Sequence, residues 1–532
     1  MAARVLKLGT RRSALARAQS GAIARRLQQQ HPGLTVELVG IETRGDRILD
    51  KPLSAVEGKE FFTAEIDHAL LAGDVDLTVH SYKDLSLERS SRLLLAAVPQ
   101  REPPFDIALF APDVRARLAA GDELRIGTSS PRRATFVPEF LQRALPRAGF
   151  SIPTPRVRLV ELRGNVDSRL RRLHEPRGSE RHLDGIVLAF AGLARLWADP
   201  EGQRLLHGLL PSLPRMVLPL SACPSAPAQG ALAIECRRDD ADTARLLSAI
   251  DHAPTRRAAQ AERVLLAERG GGCHQRLGAT QIEIEGLGTL FYQRDAGPDG
   301  HAMPIAPPRW MPQSPLPAVH SPVRAWDGSR VSPGDLERLP QADARLASEL
   351  KAGGALFVTH RRALPDTASA AAAQMHVWVP GLETWQALAA RGVWVEGCAE
   401  ALGVAALEPL LAQPLLQLPA MADWTVLTHE EAAASWSPSH VIATYRHLAT
   451  GPAQSAGSGQ SAGPGQSAGP GADVTHVYWH SGAQFERWAG TLAVGVQHAC
   501  GAGKTAEHLR RAGVQNLRVF PQVALWRQWL GM

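Results

Sequence analysis

Eight residues, ERGGGCHQ (268–275), place a cysteine behind three glycines and ahead of a histidine. A thiol there can be a small buried hydrophobe, a metal ligand, a nucleophile or the anchor of a covalent group. The chain has five cysteines, Cys223, Cys236, Cys273, Cys398 and Cys500, all far apart and without a CxxC pair. A disulfide framework or a cysteine-rich zinc site is therefore not expected, and no metal is assigned. The glycines let the backbone approach closely and leave room for a bulky group beside Cys273.

A second candidate is VHSYKD (79–84). Lys83 is one of only six lysines in a chain that otherwise uses arginine. Its ammonium offers a point charge to a carboxylate. Asp84 can accept N–H groups of a ligand and stabilise positive charge developing on it. The plainer reading is a solvated strand end. Three further stretches follow one plan: GTRRSA (9–14), GTSSPRR (127–133) and RGNVDSR (163–169). Each sets hydroxyls or glycine ahead of guanidinium groups, where a helix would start. Helix-end N–H groups, hydroxyls and arginines together make an anion site. CGAGKT (500–505) copies the end of a phosphate-binding loop, but His498 stands where its first glycine belongs, so nucleotide binding is rejected there.

Positioning these groups requires strands that feed loops and helices. VLKLGT, TVELVGIET and LTVHS read as strands, with helical spacing in the segments between them. The pattern restarts near residue 102 with LRIGTSSPRRATFVPEFLQRAL, VRLVELRGNVDSRLRRL and GIVLAFAGLARLW. Such alternation implies α/β sheets with parallel strands, and ligands at their carboxyl ends. Residues 293–345 are proline-rich with weak periodicity and read as a poorly specified domain end or linker. The alternation resumes near 355, broken by a Gly/Ala/Ser/Gln/Pro repeat at 451–473 that cannot bury a core and is expected to be disordered.

A chain of 532 residues needs more than one core. Its net charge of +6 suits nucleic acid or an acidic small molecule. With 5% aromatic residues and no nucleic-acid motif, the acidic ligand is favoured. No apolar run reaches the ~20 residues of a membrane span, nor the form of a signal peptide. A cytoplasmic protein is expected.

These motifs occur together in one family. Residues 1–290 closely resemble porphobilinogen deaminase (hydroxymethylbilane synthase) through TRRSALARAQ, HPGLTVELVGIETRGDRILDKPL, HSYKDLSLE, IGTSSPRRA, LRGNVDSRL, AFAGLARL, AQGALAIECR and AERVLLAERGGGCHQRLGA. The resemblance implies two α/β domains of the kind found in periplasmic binding proteins, at 1–101 plus 226–247 and at 102–225. It also implies a small α+β domain within 248–345 that carries the cofactor cysteine. By the resemblance, Cys273 holds a dipyrromethane through a thioether. Four porphobilinogen molecules are condensed onto this group with loss of ammonia, and water releases the linear tetrapyrrole. Asp84 is the catalytic residue. Arg11, Ser13, Gln19, Lys83, Thr128, Ser129, Ser130, Arg132, Arg133, Arg163, Arg169 and Arg195 contact cofactor or substrate. Lys59 and Phe62 belong to a mobile lid. The ligands would be porphobilinogen and the tetrapyrrole, with neither nucleic acid nor membrane as partner, and a monomer is expected.

Some positions depart from the family pattern. Ala55, Glu57 and Glu60 change the lid, Ser86 stands where proline is common, Pro131 interrupts TSSPRR, and His274 follows the cysteine where glutamine is usual. Residues 346–532 are similar to uroporphyrinogen-III synthase in HVWVPGLETWQALAARGVWVEGCAEALG, VIATYRHL, VYWHSGAQFERWAG and HACGAGKTAEHLRRAGV. An opening strand and helix are not recognisable. Tyr445 matches a recurrent tyrosine and marks a second site. A fusion would cyclise the tetrapyrrole to uroporphyrinogen III. Alternatively this half is a structural or interaction domain, or the whole chain is a non-catalytic binding module.

Overall fold

The computed structural model describes residues 4–43, 63–147, 154–271, 275–320, 322–328, 336–436, 440–448 and 469–532. Lys59, Phe62 and Cys273 lie outside the described residues, as do the repeat up to residue 468 and the lid positions Ala55, Glu57 and Glu60.

Two five-stranded sheets form the N-terminal part. In the first, Leu34–Ile41, Arg4–Arg11 and Leu77–Ser81 run parallel, followed by Leu232–Arg237 and Leu93–Ala97. In the second, Val157–Val160, Leu124–Gly127 and Gly185–Ala189 run parallel, followed by Asp106–Phe110 and Arg215–Leu218. In each sheet the fourth strand is antiparallel to the third. That strand arrives directly from the other sheet. The chain leaves Ala97 to form Asp106–Phe110, and leaves Leu218 to form Leu232–Arg237. Two crossings therefore join the sheets. Central strands are apolar on both faces, and Asp106–Phe110 is buried at every position.

Helix Ala253–Glu268 packs on a three-stranded antiparallel sheet of Leu277–Ile284, Gly288–Asp295 and Arg309–Pro312. This unit is tied to the crossings by a buried ion pair. Arg101 donates to Glu262 at 2.7 and 3.0 Å, and to the Gln229 carbonyl at 2.7 Å. Glu262 is fully buried and also accepts the Ala228 and Gln281 N–H groups. Every lone pair has a partner, which a buried carboxylate requires.

Residues beyond 320 build two mostly parallel sheets. One has six strands in the order Leu336–Arg338, His440–His447, Thr425–His429, Ala355–Val358, His376–Val379 and Val395–Cys398. The other has four, Ala325–Trp326, His476–Trp479, Gln497–Gly501 and Leu517–Phe520. Part of the segment read as linker is therefore structured. Arg309–Pro312, Ala325–Trp326 and Leu336–Arg338 are too short, and too close to prolines, to give a periodic signal.

The six-stranded sheet shares a core with the second N-terminal sheet. Trp385 is fully buried, meets Phe140 edge-on at 5.3 Å and donates its indole N–H to the Ala144 carbonyl at 3.2 Å. Trp394 meets Phe110 at 5.2 Å and donates its indole N–H to the Arg215 carbonyl at 2.9 Å. Glu400 accepts the Ser221 N–H at 3.3 Å, and burial pushes its carboxyl up to about 7. Among the described residues no helix is long and apolar enough to cross a membrane.

Candidate active site

Strand Leu77–Ser81 ends in a single 3-10 turn, Tyr82–Asp84. The turn is fixed from behind. The Tyr82 N–H bonds the Ala231 carbonyl at 3.1 Å, and Arg263 donates to the carbonyls of Tyr82, Leu85 and Ser86, each at 2.9 Å. The Arg263 guanidinium also lies 4.6 Å above the Tyr82 ring. This clamp holds the main chain, so the next side chains can project forward. Lys83 is half-buried and Asp84 is exposed.

Lys83 donates to the Gln229 side-chain oxygen at 3.2 Å. The Gln229 amide group in turn donates to Asp106 Oδ1 at 2.9 Å and to the carbonyls of Pro104 and Phe105. Gln229 is fully buried on one crossing, and Asp106 follows the other. Burial lowers the Lys83 ammonium to about 8. Asp84 and Asp106 hold it up, and Arg133 and Arg132 push it further down.

Helix Pro131–Ala144 explains the unusual proline. Pro131 occupies its first turn, where no N–H is needed, and Ser130 caps it by accepting the Arg133 N–H. Thr128 is buried and accepts the Ser130 N–H, while Ser129 is half-buried. Arg132 and Arg133, read as ligand-facing cations, are buried and grip Asp106 at 2.7 and 2.8 Å. They also donate to the Pro224 and Val187 carbonyls. Burial alone would raise the Asp106 carboxyl, but the two arginines outweigh it and hold the group well below its usual range.

Arg169, in helix Val166–Arg171, donates to the Gly164 carbonyl at 2.7 Å. Gly164 needs its left-handed φ of 104°, and a Cβ there would lie 2.5 Å from Ser168 Oγ. Burial lowers Arg169 to about 10; Arg133 and Arg163 add to this, and Asp84 opposes it. Arg163 keeps a buried Nη1 with no hydrogen-bond partner among the described residues. Lys83, Asp84, Arg133, Arg163 and Arg169 thus share one electrostatic neighbourhood fed by both sheets.

The remaining expected contacts sit around this group. Arg11 ends the first strand, and Ser13 caps helix Ala14–Gln30 through the Ala16 N–H. Gln19 is buried and donates to Ser81 at 3.2 Å, beneath the Lys83 turn. Arg195 donates to the Gly230 carbonyl, next to Gln229, and burial lowers it to about 10. Gly271, in the glycine run, approaches the chain just beyond the Lys83 turn. Gly270 and Gly271 have φ of 86° and 68°, and a Cβ on Gly271 would fall 2.8 Å from Leu87, three residues after Asp84. The other four cysteines are buried, and burial raises Cys236 to about 11, Cys500 to about 12, and Cys223 and Cys398 well above the usual thiol value.

Asp106 and Gln229 were not singled out from the sequence. Asp106 looks like a strand residue, and only a glutamine in a turn precedes GALAIE. In the C-terminal half, Tyr445 is buried, and burial pushes its hydroxyl up to about 12. Its ring lies 5.8 Å from those of His429 and His447 and 6.5 Å from that of His360.

The family described as "Porphobilinogen deaminase, dipyromethane cofactor binding domain" matches residues 6–245. A porphobilinogen deaminase of Roseiflexus sp. (strain RS-1) is 42% identical over 275 residues, covering 52% of this chain and 80% of the relative. Those of Roseiflexus castenholzii and Xanthomonas oryzae pv. oryzae (strain PXO99A) are 41% and 39% identical, with 56% and 53% of this chain and 87% and 83% of each relative covered. Among solved structures, the BenM effector binding domain with benzoate covers 51% of this chain and 96% of its own at 14% identity and a TM-score of 0.23. YhfZ from Shigella flexneri covers 51% and 93% at 17% identity and a TM-score of 0.24. The curated matches span most of each relative, and the family match includes the strands and loops that carry Lys83, Asp84, Arg132, Arg133, Arg163 and Arg169, so the chain belongs to the porphobilinogen deaminase family.

Proposed function

We propose that the N-terminal part, to about residue 290, condenses porphobilinogen head to tail with loss of ammonia and releases hydroxymethylbilane by hydrolysis. The observation that carries this is the meeting of Asp84 with Lys83, Arg133, Arg163 and Arg169 at the junction of two sheets. Five cations, counting Arg132, face two carboxylates, Asp84 and Asp106. Asp106 is already held by two arginines. The surplus positive charge and an Arg163 Nη1 without a hydrogen-bond partner among the described residues fit a polycarboxylate. A dipyrromethane meets that description, and when bound it supplies the terminus to which pyrrole units are added.

In this reading Asp84 accepts pyrrole N–H groups and stabilises positive charge as ammonia departs from the substrate. Its exposure suits contact with a ligand. Lys83, Arg163 and Arg169 bind carboxylates, with Arg11, Ser13 and Ser129 at the margin. Arg132, Arg133, Thr128, Ser130, Gln19 and Arg195 position the loops. Cys273 carries the cofactor; the raised thiols of the other cysteines, and the approach of Gly271 to Leu87, support that choice. Lys59 and Phe62, the expected lid residues, lie outside the described residues. The intact mass should exceed the chain mass by two linked pyrrole units, and Cys273→Ala should remove both the excess and the product. Wild-type protein from a porphobilinogen-producing cell at bare chain mass would overturn this assignment. A pure binding module would keep its function with Asp84→Asn apart from affinity, whereas the enzyme loses turnover.

A second reading concerns the C-terminal half. The short strand Ala325–Trp326, paired in parallel with His476–Val477, supports an opening strand for a uroporphyrinogen-III-synthase-like region, which the sequence pattern lacks. Tyr445 lies among three histidines at strand ends. These features support cyclisation of the tetrapyrrole to uroporphyrinogen III. Supplying porphobilinogen alone and identifying the isomer tests it: isomer III supports the reading, and isomer I leaves a structural role.

A further inference from the structure

His429, Glu431 and His447 bring three ligand-type atoms within 4.8 Å of one another. Glu431 Oε2 lies 2.8 Å from His429 Nδ1 and 3.1 Å from His447 Nδ1. The residues come from three adjacent elements. His429 ends strand Thr425–His429, Glu431 sits in the first turn of helix Glu430–Ala433, and His447 ends the neighbouring parallel strand His440–His447. A register shift after Thr428 pairs His429 with Tyr445.

The carboxylate is aimed. Glu431 Oε1 accepts the His447 backbone N–H at 2.9 Å, leaving Oε2 between the two rings. The rings meet edge-on with centroids 4.8 Å apart, and Tyr445 walls one side. Arg446 is turned to Glu337 at 2.7 Å and to Glu430 at 3.9 Å. Metal bonds of about 2.1 Å place neighbouring donors about 3.0–3.4 Å apart. The two Glu431–histidine separations are close to such an edge and all three ligand atoms lie within 4.8 Å, so a metal could enter with side-chain shifts.

We propose that His429, Glu431 and His447 form a binding site for a divalent transition-metal ion of the zinc class, with the remaining coordination positions open to water or an oxygen ligand. Two neutral imidazoles and one carboxylate leave a bound dication with one net positive charge. An anionic oxygen is the natural completion, and two histidines with one carboxylate is a set that keeps such positions open. The site stands apart from the condensation chemistry and does not depend on it.

The test uses full-length protein stripped with a chelator, then titrated with Co2+ and, in competition with a chromophoric chelator, with Zn2+. Wild-type protein should bind one ion with the visible d–d absorption of low-coordinate cobalt. His429→Ala, His447→Ala and the isosteric Glu431→Gln should each weaken binding at least about tenfold through loss of one ligand. His376→Ala, which breaks a His–Glu pair elsewhere, should leave binding unchanged. Zn2+ should raise the Tm of wild-type protein reversibly, and that of Glu431→Gln much less. Absence of the cobalt spectrum, or equal affinity in wild type and a folded Glu431→Gln protein, would overturn the proposal.

Discussion

Gln229 accepts a hydrogen bond from Lys83 at 3.2 Å and donates one to Asp106 at 2.9 Å. One neutral side chain therefore joins the lysine of the first sheet to the aspartate that fixes both arginines of the second. Gln229→Leu should leave the Pro104 and Phe105 carbonyls and Asp106 short of a donor, at about 1–3 kcal/mol for each unsatisfied group. Thermal unfolding should show a clear fall in Tm. In the folded fraction, KM for porphobilinogen should rise as Lys83 loses its anchor.

Asp84 should behave in the opposite way. Its carboxylate is exposed and has no hydrogen-bond partner among the described residues, so Asp84→Asn should cost little stability. Steady-state kinetics should show kcat lowered about a hundred- to a thousandfold, the usual cost of removing a charge-stabilising group. A large loss of Tm with unchanged kcat would remove it from the chemistry.

The lowered Lys83 value of about 8 gives a pH dependence. The ammonium is present below that value and lost above it, so KM should rise as pH passes through about 8. Lys83→Arg should move the rise to higher pH. The stability effect has the other sign. Between about 8 and the ordinary lysine value the unfolded chain holds the proton that the folded chain has released, so this group favours folding increasingly as pH rises.

Trp385 belongs to the C-terminal half and packs on Phe140 of helix Pro131–Ala144. Trp385→Ala should cost about 3–5 kcal/mol. Because the core is shared, calorimetry should show the loss in the transition that includes the deaminase-like part. Two independent transitions, with the deaminase-like one unmoved, would mean the halves fold separately.

Much of this arrangement was legible because local chemistry repeats. Ser13 and Ser130 are hydroxyl caps directly after strands, and each starts the helix that its motif announces. Lys83 and Asp84 lie where the end of VHS placed them. What stayed hidden depends on register and long-range pairing. Arg132 and Arg133 read as ligand arginines, but the carboxylate that claims them comes from a strand 26 and 27 residues away. Gln229 gains its role only when the two crossings meet. His447 is 16 residues from Glu431, and only the neighbouring parallel strand brings them together.

The exchanged fourth strands also have a consequence during synthesis. Strand Leu77–Ser81 pairs on one side with Arg4–Arg11, but its other partner, Leu232–Arg237, is made about 150 residues later. At about 5–20 residues per second, that edge waits roughly ten to thirty seconds on the ribosome. An apolar strand with an open hydrogen-bonding edge is prone to wrong pairing. The sheet whose strands are translated first is therefore closed only after the second sheet has all of its strands, and until then the nascent chain needs shielding at Leu77–Ser81.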